Sequence, residues 1–208
     1  MATFQQRTID SFKTKLKGGG ARSNLFEVSF GKDQGGTPNG GVFANLGVTT
    51  FENDDLMLIK TAGLPASTLT EIPVPFRGRT LKIAGDRSFD VWSITVINDT
   101  DFKWRNFFER WVNYITKASD GSGTINPTEY MADMNVAQLT RSPSVAPNQV
   151  NTNSIAVLRK YIVHSVFPTS VSQIDLSYNN ENEIEEFTVD LQVQWWEAVN
   201  EKNQQDII

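Results

Sequence analysis

A single histidine, His164, and a scatter of carboxylates are the side chains here with the chemistry for catalysis or metal binding. An imidazole acts as a general base or a zinc ligand only beside defined partners, and the chain has no second histidine and no cysteine to join it. His164 therefore reads as a structural residue within a strand. Two carboxylates facing across a cleft could hydrolyse a glycosidic bond. The acidic pairs closest in sequence, Asp99 with Asp101 and Glu181 with Glu183, fall instead at a helix cap and in a turn, where a solvated role accounts for them. No acidic run has EF-hand ligand spacing. Gly18-Gly19-Gly20 follows a helix and lacks the Lys-Ser/Thr that closes a phosphate cradle. Gly85-Asp86-Arg87 lies between two strands: it is either an intrachain turn or a polar bridge to a second subunit. The expectation is a structural protein with no cofactor, no metal and no enzymatic activity.

Composition narrows the class further. The chain has 208 residues, 39% of them hydrophobic and 21% charged, the balance of one globular domain and not of a disordered segment. Its formal net charge of -5 lacks the surplus of Lys and Arg that tight phosphate binding requires. No apolar run approaches the roughly 20 residues of a membrane span, and the N-terminal residues do not form a secretory signal.

The elements that position these groups are mostly strands. Residues 3–17 read as a short helix with Ile9, Phe12 and Leu16 on one face, stopped by the glycine triplet; it is either a docked cap or an arm that reaches a neighbour. Asn24–Gly31 alternates as a strand. The Gly-, Pro- and Asn-rich stretch 31–55 reads as a long loop, with a short hairpin at Val42-Phe43 and Val48–Phe51. Leu56–Thr61 is a short strand. Thr70–Phe76 and Arg79–Ile83 form a hairpin around Arg77-Gly78, and Phe89–Ile97 is a further strand after a break at Ala84-Gly85-Asp86. The period then changes to 3.6: Trp104, Phe107, Phe108, Trp111, Val112 and Ile115 mark a helix over Asp101–Lys117, capped by Asp99 or Thr100 and packed on a sheet. Glu129–Thr140 reads as a strand and 141–154 as a loop. Ala156–Phe167 is a long strand ended by Pro168, and Ile174–Tyr178 a short one. In the last strand, Glu185–Trp196, Phe187, Val189, Leu191, Val193 and Trp195 share one face, and Glu186, Thr188, Asp190, Gln192 and Gln194 the other. The expected fold is mainly β: an antiparallel β-sandwich or barrel with one packed α-helix and an N-terminal helix.

Leu64–Phe102 resembles the central segment of tail tube proteins of T-even-like contractile-tailed bacteriophages. Leu64-Pro65-Ala66, Ile72-Pro73-Val74, Ala84-Gly85-Asp86-Arg87, Phe89-Asp90, Trp92, Thr95-Val96 and Asn98-Asp99 carry the likeness. Phe167–Glu197 is similar to the family's ending, and Ser23-Asn24-Leu25-Phe26 to its entry into the first strand. The loops 31–55 and 141–154 and the extension 198–208 depart from the pattern. The resemblance implies a single tail tube domain over 1–208, with residues 1–20 as helix or arm. It implies hexameric rings stacked into a conduit inside a contractile sheath, with the type VI secretion tube subunit sharing the fold. The implied partners are further copies of the chain and the sheath, baseplate and tail terminator proteins. DNA would pass through without specific binding, in a virion tail assembled in the host bacterial cytoplasm. A tube carrying protein cargo is the alternative; outside the family stand a β-sandwich binding module and a carboxylate hydrolase.

Exposed sheet edges invite pairing, and a ring uses this tendency: neighbours pair edge to edge until the circle closes. If six subunits each give four strands, as the resemblance implies, about 24 strands at ~4.8 Å spacing and ~40° tilt close a barrel roughly 48 Å across, wide enough for a DNA duplex. A basic wall would hold phosphates, so an acidic or neutral one suits a conduit. Glu186, Thr188, Asp190, Gln192 and Gln194, with Ser93 and Thr95, either line the channel or face outward. Gly85, Asp86 and Arg87 are candidate inter-subunit residues, as are Gly35, Gly36, Asn39 and Phe43 in the long loop, which with the N-terminal segment is the candidate for ring stacking.

Overall fold

A computed structural model describes residues 8–16, 20–31, 42–46, 58–141, 156–179 and 183–199. Two four-stranded antiparallel sheets share one long strand. The first sheet runs β1 (Phe26–Phe30), β6 (Ala132–Thr140), β7 (Ala156–Val171) and β9 (Trp195–Val199). The second runs from β7 through β8 (Glu186–Gln192) and β5 (Trp92–Ile97) to β2 (Ile59–Ala62). A separate two-stranded hairpin, β3 (Ser67–Phe76) and β4 (Arg79–Phe89), stands apart from both. The helices are α1 (Ile9–Lys15), the single turn α2 (Val42–Asn45), α3 (Lys103–Ile115) and the short α4 (Pro127–Tyr130).

The mainly antiparallel β architecture with a packed helix is the one the sequence pattern implies. α3 forms where the 3.6-residue stripe lies. Trp104, Phe107, Phe108 and Trp111 are buried, while Val112 is 37% exposed and Ile115 packs at the margin. The aromatic row bridges the sheets. Phe30 of β1 stacks on Trp104 at 5.6 Å, and Phe187 of β8 meets Phe108 edge-on at 6.3 Å. Buried indoles must place their N–H on an acceptor: Trp111 donates to the Tyr130 carbonyl at 2.7 Å and Trp92 to that of Gly63 at 2.6 Å.

Several elements depart from the sequence reading. The long strand runs on through Pro168 to Val171, because its second half leaves β6 and pairs with β8, where Pro168 lies opposite Leu191. At the switch Ser165 is left-handed (φ 54) and its N–H donates to Asp133 Oδ1 at 2.9 Å. The last strand is broken in two: β8 ends at Gln192, and after Val193-Gln194 β9 continues along the same side of β7 in the same register. Trp195 is accordingly 42% exposed and not on the core face. Helix α3 begins at Lys103 after a left-handed Phe102; Asp99 still caps it, accepting from the Lys103 N–H at 2.9 Å. Residues 127–130 are helical, so β6 starts at Ala132. Ile174–Tyr178 lies outside both sheets. Val42-Phe43 is a helical turn and not a hairpin strand. The expected structure at Val48–Phe51 and the loop 141–154 fall outside the described residues, apart from Arg141.

Truncating a fully enclosed indole leaves a cavity that its neighbours cannot fill. Trp111→Ala is expected to cost about 3–5 kcal/mol, whereas Val112→Ala, one residue along the same helix, stays within about 0.5 kcal/mol. Equilibrium denaturation of the two variants measures the difference.

Candidate functional site: a polar sheet face and two unpaired edges

The second sheet divides its residues cleanly. Trp92, Ile94, Val96, Phe187, Val189 and Leu191 are buried beneath it. On the opposite face the register sets Ser93 beside Asp190 and Thr95 beside Thr188. Ser93 Oγ donates to Asp190 Oδ1 at 2.5 Å, and the two threonine hydroxyls stand 3.5 Å apart. Lys60 of β2 forms an ion pair with Glu186 at 2.5 Å, and Ser170 of β7 lies opposite Asp190. Six of the seven residues singled out for a channel wall thus share one hydroxyl- and carboxylate-rich face, on which Ser93 is exposed and the other five are half-buried. The seventh, Gln194, does not join them. The strand breaks at Val193, and the Gln194 N–H donates to the His164 carbonyl at 3.4 Å. The contribution of Lys60 to this face was missed in the sequence, because a long-range ion pair leaves no local pattern.

This sheet has two lateral edges. One is β2; the other is the second half of β7, since β6 pairs β7 only as far as Val166. Each carries backbone donors and acceptors without a strand partner among the described residues.

The hairpin β3–β4 projects from the body. Its turn, Arg77 (φ 45) and Gly78 (φ 80), has the two positive φ angles of a type I′ turn. A bulge sets Thr70 against both Gly85 and Asp86, with Thr70 Oγ1 donating to the Asp86 carbonyl at 2.9 Å. A Cβ on Gly85 would lie 2.8 Å from Thr70 Oγ1, so the intrachain role accounts for that glycine. Asp86 and Arg87 remain on the exposed surface. Phe43 is a correction. It is 2% exposed and stacks on Phe107 at 5.8 Å, so it closes the core of its own subunit and offers nothing to a neighbour. Gly35, Gly36 and Asn39 lie outside the described residues. The N-terminal stripe is uncovered, with Ile9, Phe12 and Leu16 all exposed.

His164 is structural in an unforeseen way. It is 5% exposed, stacked on Trp195 at 3.9 Å between ring centres, and held between two carboxylates: Nδ1 lies 3.3 Å from Asp133 and Nε2 3.1 Å from Glu197. Burial alone would push the imidazole pKa down. The hydrogen bonds and charges of Asp133 and Glu197 outweigh it, and the pKa ends above its ordinary 6.5. Among the described residues no three His, Asp or Glu side chains form a metal-binding group.

A two-sheet β body with a polar sheet face, open edges and a projecting hairpin fits the tube class of protein. The family model for phage tail tube protein matches residues 21–199. The chain is 30% identical to the tail tube protein gp19 of Enterobacteria phage T4 over 138 residues, 66% of this chain and 78% of that one. It is 27% identical to the tail tube protein of Serratia phage KSP90 over 150 residues, 72% of this chain and 77% of that one. In fold it is similar to a chain of the anti-feeding prophage baseplate structure, with a TM-score of 0.56 and 14% identity over 86% of this chain and 95% of the other. The chain belongs to the phage tail tube protein family and is a tube subunit of a contractile phage tail, a structural component of the virion.

A histidine whose folded pKa is raised stabilises the fold fully below its unfolded value of 6.5, and that contribution is lost as pH rises through the higher folded value. The wild-type protein is expected to lose stability over that rise relative to His164→Gln, whose profile lacks this component. Thermal melts across pH test it, with the lone imidazole titrated by NMR in parallel.

Proposed function

We propose that the chain assembles into hexameric rings that stack into a hollow tube inside a contractile sheath, and that DNA passes through the tube during ejection. The observation that carries this reading is the polar face of the β7–β8–β5–β2 sheet, bounded by two unpaired edges. An uncovered sheet edge is a template for another strand. Two unlike edges on one subunit give a head-to-tail contact, which closes into a ring when the rotation per subunit divides the circle. β2 of one subunit would pair with the second half of β7 of the next. Four strands from each of six copies give the barrel of about 24 strands that passes a duplex.

Glu186, Thr188, Asp190, Gln192, Ser93 and Thr95 would then form the wall. Their hydroxyls and carboxylates are already satisfied within the sheet by Ser93–Asp190, Thr95–Thr188 and Lys60–Glu186 contacts. A wall whose polar groups bond to one another, with Lys60 neutralised by Glu186, has little left to hold a phosphate. A non-enzymatic role suits this face, and sheath, baseplate and terminator proteins would be the partners in the tail. Assembly in the host bacterial cytoplasm suits a chain without cysteine. A tube that conducts protein is the second reading; the fold likeness to the anti-feeding prophage baseplate chain favours it no more than DNA.

Negative-stain electron microscopy of the purified chain at rising concentration, with and without tail baseplates as nuclei, is expected to show rings or tubes with a stain-filled centre. Monomers under both conditions would reject self-assembly. Glu186→Lys with Asp190→Lys should leave tube assembly intact and slow DNA release from reconstituted tails, because two cations per subunit would be added to the wall. Unchanged release kinetics would place these residues outside the channel.

A further inference from the structure

The hairpin β3–β4 is two-faced. Beyond the bulge, Ile72 lies opposite Ile83 and Val74 opposite Leu81. Directly opposed residues share a face, so these four and Phe76 make one apolar surface. Glu71, Pro73, Pro75, Thr80 and Lys82 make the other, with Lys82 paired to Glu71 at 2.8 Å. Every residue of the apolar surface is exposed: Phe76 at 66%, Leu81 at 60%. Its edges also differ. Proline has no N–H, so Pro73 and Pro75 can sit only where the backbone nitrogen points away from β4. The outer edge of β3 therefore lacks donors at both positions and resists pairing. The outer edge of β4 keeps its donors.

A matching surface lies elsewhere on the chain. Gln173–Ser177 and Glu183–Glu186 line an open groove of about 400 Å³ where β7 leads into β8. Ile174, Leu176 and Tyr178 alternate with Asp175 and Ser177, a strand pattern, yet the segment belongs to neither sheet. Leu176 and Ile184 are 80% and 71% exposed. The groove is acidic through Asp175, Glu183, Glu185 and Glu186. Asn98 already binds Glu185, Lys60 binds Glu186 and Gln173 donates to Asp175 Oδ1 at 3.0 Å, which leaves Glu183 as the groove's outward charge. The hairpin is basic through Arg77, Arg79, Lys82 and Arg87, and Arg79 and Arg87 have no acidic partner among the described residues.

We propose that the β4 edge and apolar face of one subunit's hairpin dock into this acidic groove of a second copy, adding a strand beside Ile174–Tyr178. Strand addition supplies backbone hydrogen bonds to a segment that has the pattern of a strand and no sheet partner. Leu81 and Ile83 cover Leu176 and Ile184, and Arg79 meets Glu183. The donor-poor β3 edge then faces outward and stops further growth. The contact rests on the self-assembly reading above and names two of the surfaces that meet.

The chain has no cysteine, so engineered thiols report one contact alone. Full-length Leu81→Cys and Leu176→Cys, both at exposed positions, are mixed, polymerised and oxidised. A disulfide-linked dimer in the mixture, absent from each variant alone, is the expected result. Tubes without a mixed dimer, or a dimer from Leu81→Cys alone, would overturn the docking and leave the tube standing. Neither tubes nor dimers from wild-type or variant protein would overturn both. Charge exchange is the second arm: Glu183→Arg should reduce polymer yield at moderate salt, and added Arg79→Glu should restore it. Failure of the second change to restore polymerisation, with both variants folded by circular dichroism, also counts against the contact.

Discussion

The structure depends on one bend. β7 is sixteen residues long and belongs to two sheets, and it can do so only because the chain turns at Ser165. A left-handed serine costs roughly 1–2 kcal/mol in backbone strain. Asp133 offsets this by accepting the Ser165 N–H while lying 3.3 Å from His164 on the other side. Glu197 of β9 completes the clasp around the imidazole. Three strands, β6, β7 and β9, thus meet around one buried imidazole and its two carboxylate partners, just where the two sheets diverge.

The divergence creates the surfaces that assembly would use. Because β7 leaves β6 after its first half, its second half has β8 on one side only. β9 continues β8's ladder on the other side of β7, so it does not cover that edge. The aromatic row of α3 fills the wedge between the sheets, so the hydrophobic core lies between them and the far face of the second sheet is left to Ser, Thr and carboxylate side chains. A flat, single sheet with the same residues would have no such wedge.

Alternation and helical period made most of the elements legible, since both follow from backbone geometry and side-chain burial within a few neighbouring residues. The α3 stripe, the Arg77-Gly78 hairpin and the two faces of β8 are of this kind. So is the exclusion of cysteine chemistry and of any histidine pair, which composition alone decides. The family likeness was also written in local segments, from the entry to the first strand through the central hairpin to the final strand.

What only the tertiary structure decided are the relations between residues far apart in the chain. Phe43 read as a loop residue, but it is buried against Phe107 of α3. Gln194 continued an alternating pattern, but the strand breaks there opposite the left-handed Ser165, and its N–H bonds to the His164 carbonyl, which takes it off the face it nominally shares. His164 looked unaccompanied since its partners lie 31 and 33 residues away. The sequence by itself determined most of the strands, which face of each is apolar and what cysteine or paired-histidine chemistry is absent. The tertiary structure decided which strands meet, which edges stay free and which charges face one another, because those depend on closing long loops, and no local pattern encodes the closure.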